Sequence, residues 1–145
     1  MRSSALVAAQ FALIVALVAT TEPLATPVAN AIAFALVIAG TFVGFGALAS
    51  NRPGNFNVRP ELKDSARLVT EGIYAHVRHP MYLSVLLLMA AALAADPRLW
   101  RIALWAALLA VLIAKARREE GYLRARFPQY AEYMQRTARL LPRIY

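Results

Sequence analysis

The sequence has no cysteine among its 145 residues, which excludes disulfide bonds, thiolate nucleophiles and cysteine-based zinc sites. Its only histidines, His76 and His79, have no matching carboxylate cluster nearby, so no metal site is predicted. No Gly-x-Gly-x-x-Gly motif follows a strand pattern, and a Rossmann-type nucleotide site is therefore not expected. Any catalysis must depend on other groups.

Charged residues are also scarce, at 17% of the chain against 60% hydrophobic residues, and the mean hydropathy is +0.50. This composition is too apolar for a soluble domain and predicts an integral membrane protein. The net charge of +8 lies between and after apolar segments, which favours contact with anionic lipid headgroups over nucleic acid. No linker divides the chain, so residues 1–145 are expected to form a single membrane domain.

Two uncharged stretches of 19 and 29 residues lie on either side of Glu22. Each is long enough to cross a bilayer as a helix, so residues 3–50 are predicted to contain two transmembrane helices. Thr26 and Pro27 are suited to the N-cap and first position of the second helix. A cleaved signal peptide at residues 1–21 is the alternative, but the second span that follows at once favours retention.

Glycines in the second stretch are spaced for close helix packing. Gly40 and Gly44 are four residues apart, which lets a neighbouring helix approach. The spacing predicts a packing role. The packing partner can be a second copy of the chain, associated through Gly40 and Gly44. The alternative is that Gly44 and Gly46 leave room for a cofactor.

A polar connection at 51–79 is followed by a predicted helical hairpin. Loops of this length usually carry function. Pro80 is suited to start a helix that runs to about Ala95, and Asp96 with Pro97 is predicted to cap a second helix over Leu99–Ala114. Both arms are marginal in length as membrane spans.

Charge at the second arm and in the tail predicts the membrane orientation. Arg101, near the start of that arm, is expected to snorkel to the headgroups. The tail from 115 to 145 is predicted to be an amphipathic cytoplasmic helix that Pro128 kinks or restarts. About four spans would place this tail and residues 51–79, with 13 of the 16 basic residues, on the cytoplasmic side.

Two clusters place ionisable groups at the ends of apolar helices, at 74–82 and at 115–120. Charge there is costly without a partner or a ligand. The first cluster can also be explained as a cationic helix anchor with Tyr82 as an interfacial aromatic. Glu119 and Glu120 can likewise be explained as a solvated pair balanced by neighbouring basic residues.

Five segments from residue 51 to 145, taken in order, resemble the isoprenylcysteine carboxyl methyltransferase family. They are Leu68–Tyr74, Arg78–Tyr82, Glu119–Glu120, Phe127–Tyr133 and Arg139–Pro142. The resemblance implies an integral membrane methyltransferase that uses S-adenosylmethionine. It also implies that the cofactor is held among the C-terminal helices and loops, without a Rossmann domain.

The resemblance implies that the RHPxY segment, Arg78–Tyr82, and the paired glutamates contribute to the cofactor pocket. The expected cofactor-binding residues, with Tyr74 added for its aromatic ring, are Tyr74, His79, Pro80, Met81, Tyr82, Glu119 and Glu120. Glutamates can accept hydrogen bonds from the cofactor's ammonium or ribose, and a tyrosine ring can lie along the adenine or near the sulfonium.

Arginines are the expected catalytic residues. Arg78, or His79 beside it, is suited to the cofactor's carboxylate, and Arg117, with Lys115 or Arg118, to an anionic acceptor. Arg117 and Arg118 are equally well explained as phospholipid anchors.

Departures from the family pattern bear on the methyl acceptor. Ser84 stands where many relatives have glycine, Pro128 replaces a glycine, and the N-terminal half is short. A short bundle disfavours a large prenylated protein, so a smaller lipophilic acid, amine or thiol is expected to enter sideways from the bilayer. The compact, alanine-rich chain is typical of a bacterial inner membrane protein, with the site facing the cytoplasm.

Three functions stay open at this point, and the methyltransferase of a lipophilic carboxylate is favoured. A phospholipid N-methyltransferase would need a base to take the amine's proton, with His79 or Glu120 as its candidates. A non-catalytic membrane interaction module would use Gly40 and Gly44 to pack helices and the basic tail to dock lipids.

Overall fold

The computed structural model of the protein describes residues 3–22, 26–51, 61 and 67–141. Within these ranges the chain forms α-helices and one 3-10 turn at Gly72–Ala75, with no strand. The helices are α1 (Ser3–Ala19), α2 (Pro27–Ser50), α3 (Pro80–Ala95), α4 (Leu99–Arg126) and α5 (Tyr130–Arg136). The predicted all-helical class is confirmed. Of the predicted loop at 51–79, residues 52–60 and 62–66 lie outside the described residues.

Local sequence sets most helix ends as predicted. The Thr26 hydroxyl accepts a hydrogen bond from the backbone N–H of Ala29 at 3.3 Å, and Pro27 is the first residue of α2. Pro80 likewise begins α3. The predicted cap of α4 is wrong, because the N-cap is Arg98 and Asp96 instead closes α3.

Within the described part of the chain, two helices, α2 and α4, are long and apolar enough to cross a membrane. Helices α1 and α3 have 17 and 16 residues, which gives them lengths of about 26 and 24 Å at 1.5 Å per residue. Both are shorter than a hydrocarbon core of about 30 Å. Crossing by all four helices therefore stays a prediction. Large side chains on α2, including Phe34, Phe42 and Phe45, are exposed, as contact with lipid requires.

The glycines of α2 pack against α3 of the same chain. A Cβ at Gly40 would lie 3.0 Å from Leu88 Cγ, and one at Gly44 would lie 2.8 Å from Ser84 Oγ. Close helix packing at these glycines is thus confirmed, while association of two copies through them stays a prediction. The alternative of cofactor space at Gly44 and Gly46 is wrong, because Ser84 and Ile73 fill it.

Arg101 is fully buried at the end of the bundle where α4 begins, so the predicted snorkelling is wrong. Its guanidinium donates to Leu17 O at 2.9 Å, Thr20 Oγ1 at 2.8 Å and Thr21 Oγ1 at 2.7 Å. Asp96 lies 3.7 Å away as the counter-charge. The Leu17 carbonyl of α1 and the two threonine hydroxyls that follow this helix therefore hold the cation inside the protein.

The opposite end of the bundle carries the tail. Helix α4 continues past its apolar part to Arg126, and Pro128 separates it from α5, as predicted. Tyr130 and Tyr133 are the buried residues of α5 and anchor it to the bundle. Leu140 then enters the apolar core formed with α1, α3 and α4. The tail is thus packed onto the protein, in addition to any contact with headgroups.

Candidate active site

The residues just before α3 pair with the segment that follows α5. The backbone N–H of Arg78 donates to Ala138 O at 2.9 Å, and that of Ala138 donates to His76 O at 3.1 Å. The N–H of His79 donates to Arg139 O at 3.1 Å. This pairing places the RHPxY segment between the C-terminal segment and the end of α4.

Glu120 forms the centre of a buried charge cluster. Its Oε1 accepts from Arg78 Nε at 2.9 Å and lies 3.3 Å from His79 Nε2. Arg139 donates to both oxygens, from Nε to Oε1 at 3.1 Å and from Nη2 to Oε2 at 2.8 Å. The residue is 2% exposed, and a carboxylate buried this deeply requires such compensation. Both of its oxygens are therefore engaged by the protein.

Arg78 joins this cluster to the tail. Its side chain is 7% exposed, and Nη1 donates to Met134 O at 3.1 Å and to the carbonyl of Thr137. These bonds satisfy carbonyls at and after the end of α5. The structure thus gives Arg78 a role in holding Glu120 and the tail, while its predicted catalytic role stays a prediction.

Glu119 faces a different environment from Glu120. Its side chain is 31% exposed, and Oε2 accepts from the Tyr82 hydroxyl at 2.9 Å and lies 3.7 Å from His79 Nδ1. The rings of Tyr82 and His79 are stacked, with centroids 5.3 Å apart and planes 3° from parallel. Over the described ranges, nothing hydrogen-bonds to Glu119 Oε1, so this oxygen can accept from a ligand.

Tyr74 lies on the same side of the site. Its carbonyl accepts from the Tyr133 hydroxyl at 2.6 Å, and its side chain hydrogen-bonds with Asn51. Burial raises the pKa of Tyr74 to about 12, and the negative charge of Glu119 adds to the rise. Tyr74 is therefore an uncharged aromatic residue at neutral pH.

The remaining predicted residues are divided between the site and the surface. Pro80 is fully buried and starts α3, which places His79 and Tyr82. Met81 is half-buried next to it, whereas Arg117 is exposed on α4. The structure brings Arg78 and the predicted tyrosine, histidine and glutamate residues together, but it does not place Arg117 among the buried groups.

Sequence reasoning missed the roles of Arg139 and Gln10. Arg139 belongs to the Arg139–Pro142 motif, yet its double contact with Glu120 depends on the fold of the tail. Gln10 lies on α1 and hydrogen-bonds with the ammonium of Lys115. The sequence indicates this role only through the single amide side chain in a mostly apolar helix, because a buried amide is costly without a partner.

An apolar cavity of about 420 Å³ lies along α3 and α4 beside the polar cluster. This volume falls within the usual range for small-molecule sites, about 300–1,000 Å³. Its lining begins at Leu83, one turn after His79, and includes Leu140, which follows Arg139. The lining residues are Leu83, Leu86, Leu87, Ala90, Trp105, Leu109, Ile113, Leu140 and Leu141.

Fold and site together define an all-helical membrane protein with a polar cluster at the helix ends and an apolar cavity beside it. The model of the isoprenylcysteine carboxyl methyltransferase family matches residues 31–125, which are 95 of the 145 residues. The chain belongs to this family of membrane methyltransferases, and the resemblance of its motifs is confirmed. No curated protein matches the chain.

The matched segment differs in extent from the motifs that indicated the family. It begins within α2, earlier than residue 51, and it ends at Ala125, before the Phe127–Tyr133 and Arg139–Pro142 segments. It contains the RHPxY segment and both glutamates, but neither Gln10 nor Arg139.

Proposed function

We propose that this membrane methyltransferase uses S-adenosylmethionine to methylate the carboxylate of a small lipophilic acceptor. The observation that carries the proposal is the position of Glu119. Its partly exposed carboxylate has one oxygen without a partner among the described residues, stands beside the stacked Tyr82 and His79 rings, and lies on the helix that also lines the apolar cavity.

The chemistry of these groups fits the cofactor. Glu119 can accept from the cofactor's ammonium or a ribose hydroxyl, and the rings of Tyr74 and Tyr82 suit the sulfonium or the adenine. Glu120 is engaged by two arginines and a histidine, so we assign it to support rather than to binding. When bound, S-adenosylmethionine would supply an electrophilic methyl group.

The cavity supports a lipophilic acceptor. Every residue that lines it is apolar, and Leu141 at its border is exposed. A hydrocarbon chain can pass from the bilayer into such a space without exposing apolar surface to water. A chain held there would extend its polar end toward the end of α3 where His79 lies.

A carboxylate acceptor agrees with the geometry better than an amine. An amine must lose a proton, and the two candidate bases are both engaged by charged neighbours. His79 directs one ring nitrogen toward Glu119 and the other toward Glu120, whose own oxygens accept from arginines. A carboxylate needs no base, so catalysis can come from positioning, which supplies roughly 7–11 kcal/mol.

Orientation and location follow from the charge distribution. The site lies at the end of α4 that carries the basic tail, and excess Lys and Arg favour the cytoplasmic side. We therefore propose that the site faces the cytoplasm and is surrounded by membrane lipids, and the compact, alanine-rich chain supports a bacterial inner membrane as its location.

Transfer of a labelled methyl group from S-adenosylmethionine tests the proposal. Palmitic acid, hexadecylamine and hexadecanethiol would be offered to the detergent-purified chain, and we expect the acid to be methylated. Ala90→Phe fills the cavity and should raise the KM for the acid, whereas Ala107→Phe, at an exposed position of α4 outside the cavity, should not. Methylation of the amine alone would contradict the proposal.

A further inference from the structure

The proposed function leaves a buried cation unexplained. Lys115 is 1% exposed, near the end of the apolar part of α4. Its ammonium donates to Oε1 of Gln10 on α1, and across the described chain this is its one hydrogen bond. A charge buried among apolar helices is costly, so its presence indicates a role with a specific partner.

The neighbours of Lys115 are the groups assigned to the cofactor. Its Nζ lies 5.3 Å from the centroid of the Tyr82 ring, within range of a cation–π interaction. Tyr82 donates in turn to Glu119 at 2.9 Å. Glu119 is also four residues along α4 from Lys115, on the same helix face, and the two charges attract.

We infer that Lys115 is a positioning residue, set in place by Gln10, that holds Tyr82 and Glu119 in the geometry that binds the cofactor. The inference rests on the proposed function. It makes α1 part of the active site, although that helix lies outside the segment that the family model matches. Gln10 acts only through Lys115, and Lys115 acts through Tyr82 and Glu119.

A purely structural role gives different expectations. Helix α1 already packs on α4 through apolar residues, with Leu17, Leu108 and Leu112 fully buried in one core cluster. A structural contact alone therefore predicts that Lys115→Met lowers stability, because the Gln10 oxygen loses its buried donor, and leaves cofactor affinity unchanged. A positioning role predicts weaker cofactor binding by variants that remain folded.

The test is binding of S-adenosylhomocysteine to the detergent-purified full chain, measured by calorimetry beside thermal unfolding. We expect Lys115→Met and Gln10→Leu each to weaken binding about tenfold, the scale of one buried cation–π contact. Lys115→Arg should recover part of the affinity. The control Leu17→Ala should lower the unfolding temperature and leave affinity unchanged.

Two double variants test the order of action. Adding Gln10→Leu to Lys115→Met should weaken binding no further, and Lys115→Met should have little effect in a Glu119→Gln background. Unchanged affinity in both single variants, or additive losses in the doubles, would overturn the inference while the proposed function stands. Absence of binding by the folded wild type would overturn both.

Discussion

Two adjacent glutamates on α4, Glu119 and Glu120, have different environments. Successive residues on a helix point about 100° apart. Glu120 therefore meets Arg78 and Arg139 in the interior, while Glu119 keeps 31% of its side chain exposed. Which of the two faces the interior depends on where the tail packs, and that is a long-range contact.

Glu120→Gln is expected to lower the free energy of unfolding by about 3–5 kcal/mol, because it leaves buried cations without their counter-charge. Chemical unfolding in detergent measures the loss. The control is Glu132→Gln, the same change at a side chain that is 73% exposed, where less than about 1 kcal/mol is expected. Equal stability of the two variants would contradict this account of Glu120.

At the scale of the elements, helix ends were predictable where capping is local. The start of α2 is set by Thr26 and Pro27, and the start of α3 by Pro80, so both could be predicted from adjacent residues alone. Asp96 was misassigned because its side chain accepts from the backbone N–H of Glu22 at 3.2 Å, across the bundle. Arg101 was misassigned for the same reason, since its partners lie at and just after the end of α1 and on α3.

Gly44→Ala tests how tightly α2 and α3 pack. The new Cβ would lie 2.8 Å from Ser84 Oγ but 3.6 Å from Ser84 Cβ. We therefore expect Gly44→Ala to destabilise the protein by about 1–3 kcal/mol, as overpacking does. In a Ser84→Ala background the same change should be tolerated, since the clashing oxygen is gone. Thermal unfolding of the four proteins measures the coupling, and additive effects would contradict it.

For the whole molecule, family membership was predictable and the full extent of the site was not. The RHPxY segment and the glutamates lie within the matched residues 31–125. Gln10 and Arg139 lie before and after that segment, and their contacts with Lys115 and Glu120 form only when α1 and the tail pack on α4.

Membrane orientation can be tested directly because the chain has no cysteine. Leu99→Cys and Ala125→Cys place single thiols at exposed positions near the two ends of α4. If α4 spans the bilayer with the tail inside, an impermeant maleimide should label Leu99→Cys from outside the cell. Ala125→Cys should be labelled only in inverted vesicles. Labelling of both from the same side would contradict a spanning α4.

Binding of S-adenosylhomocysteine to the detergent-purified wild type and Glu119→Gln, measured by calorimetry, tests the central claim most directly. We predict that the wild type binds and that Glu119→Gln weakens binding by about tenfold or more, because a charge-assisted contact contributes about 1.5–3 kcal/mol. The matched control, Glu132→Gln, should bind like the wild type. A wild type that does not bind, or a Glu119→Gln variant that binds equally well, would contradict the account.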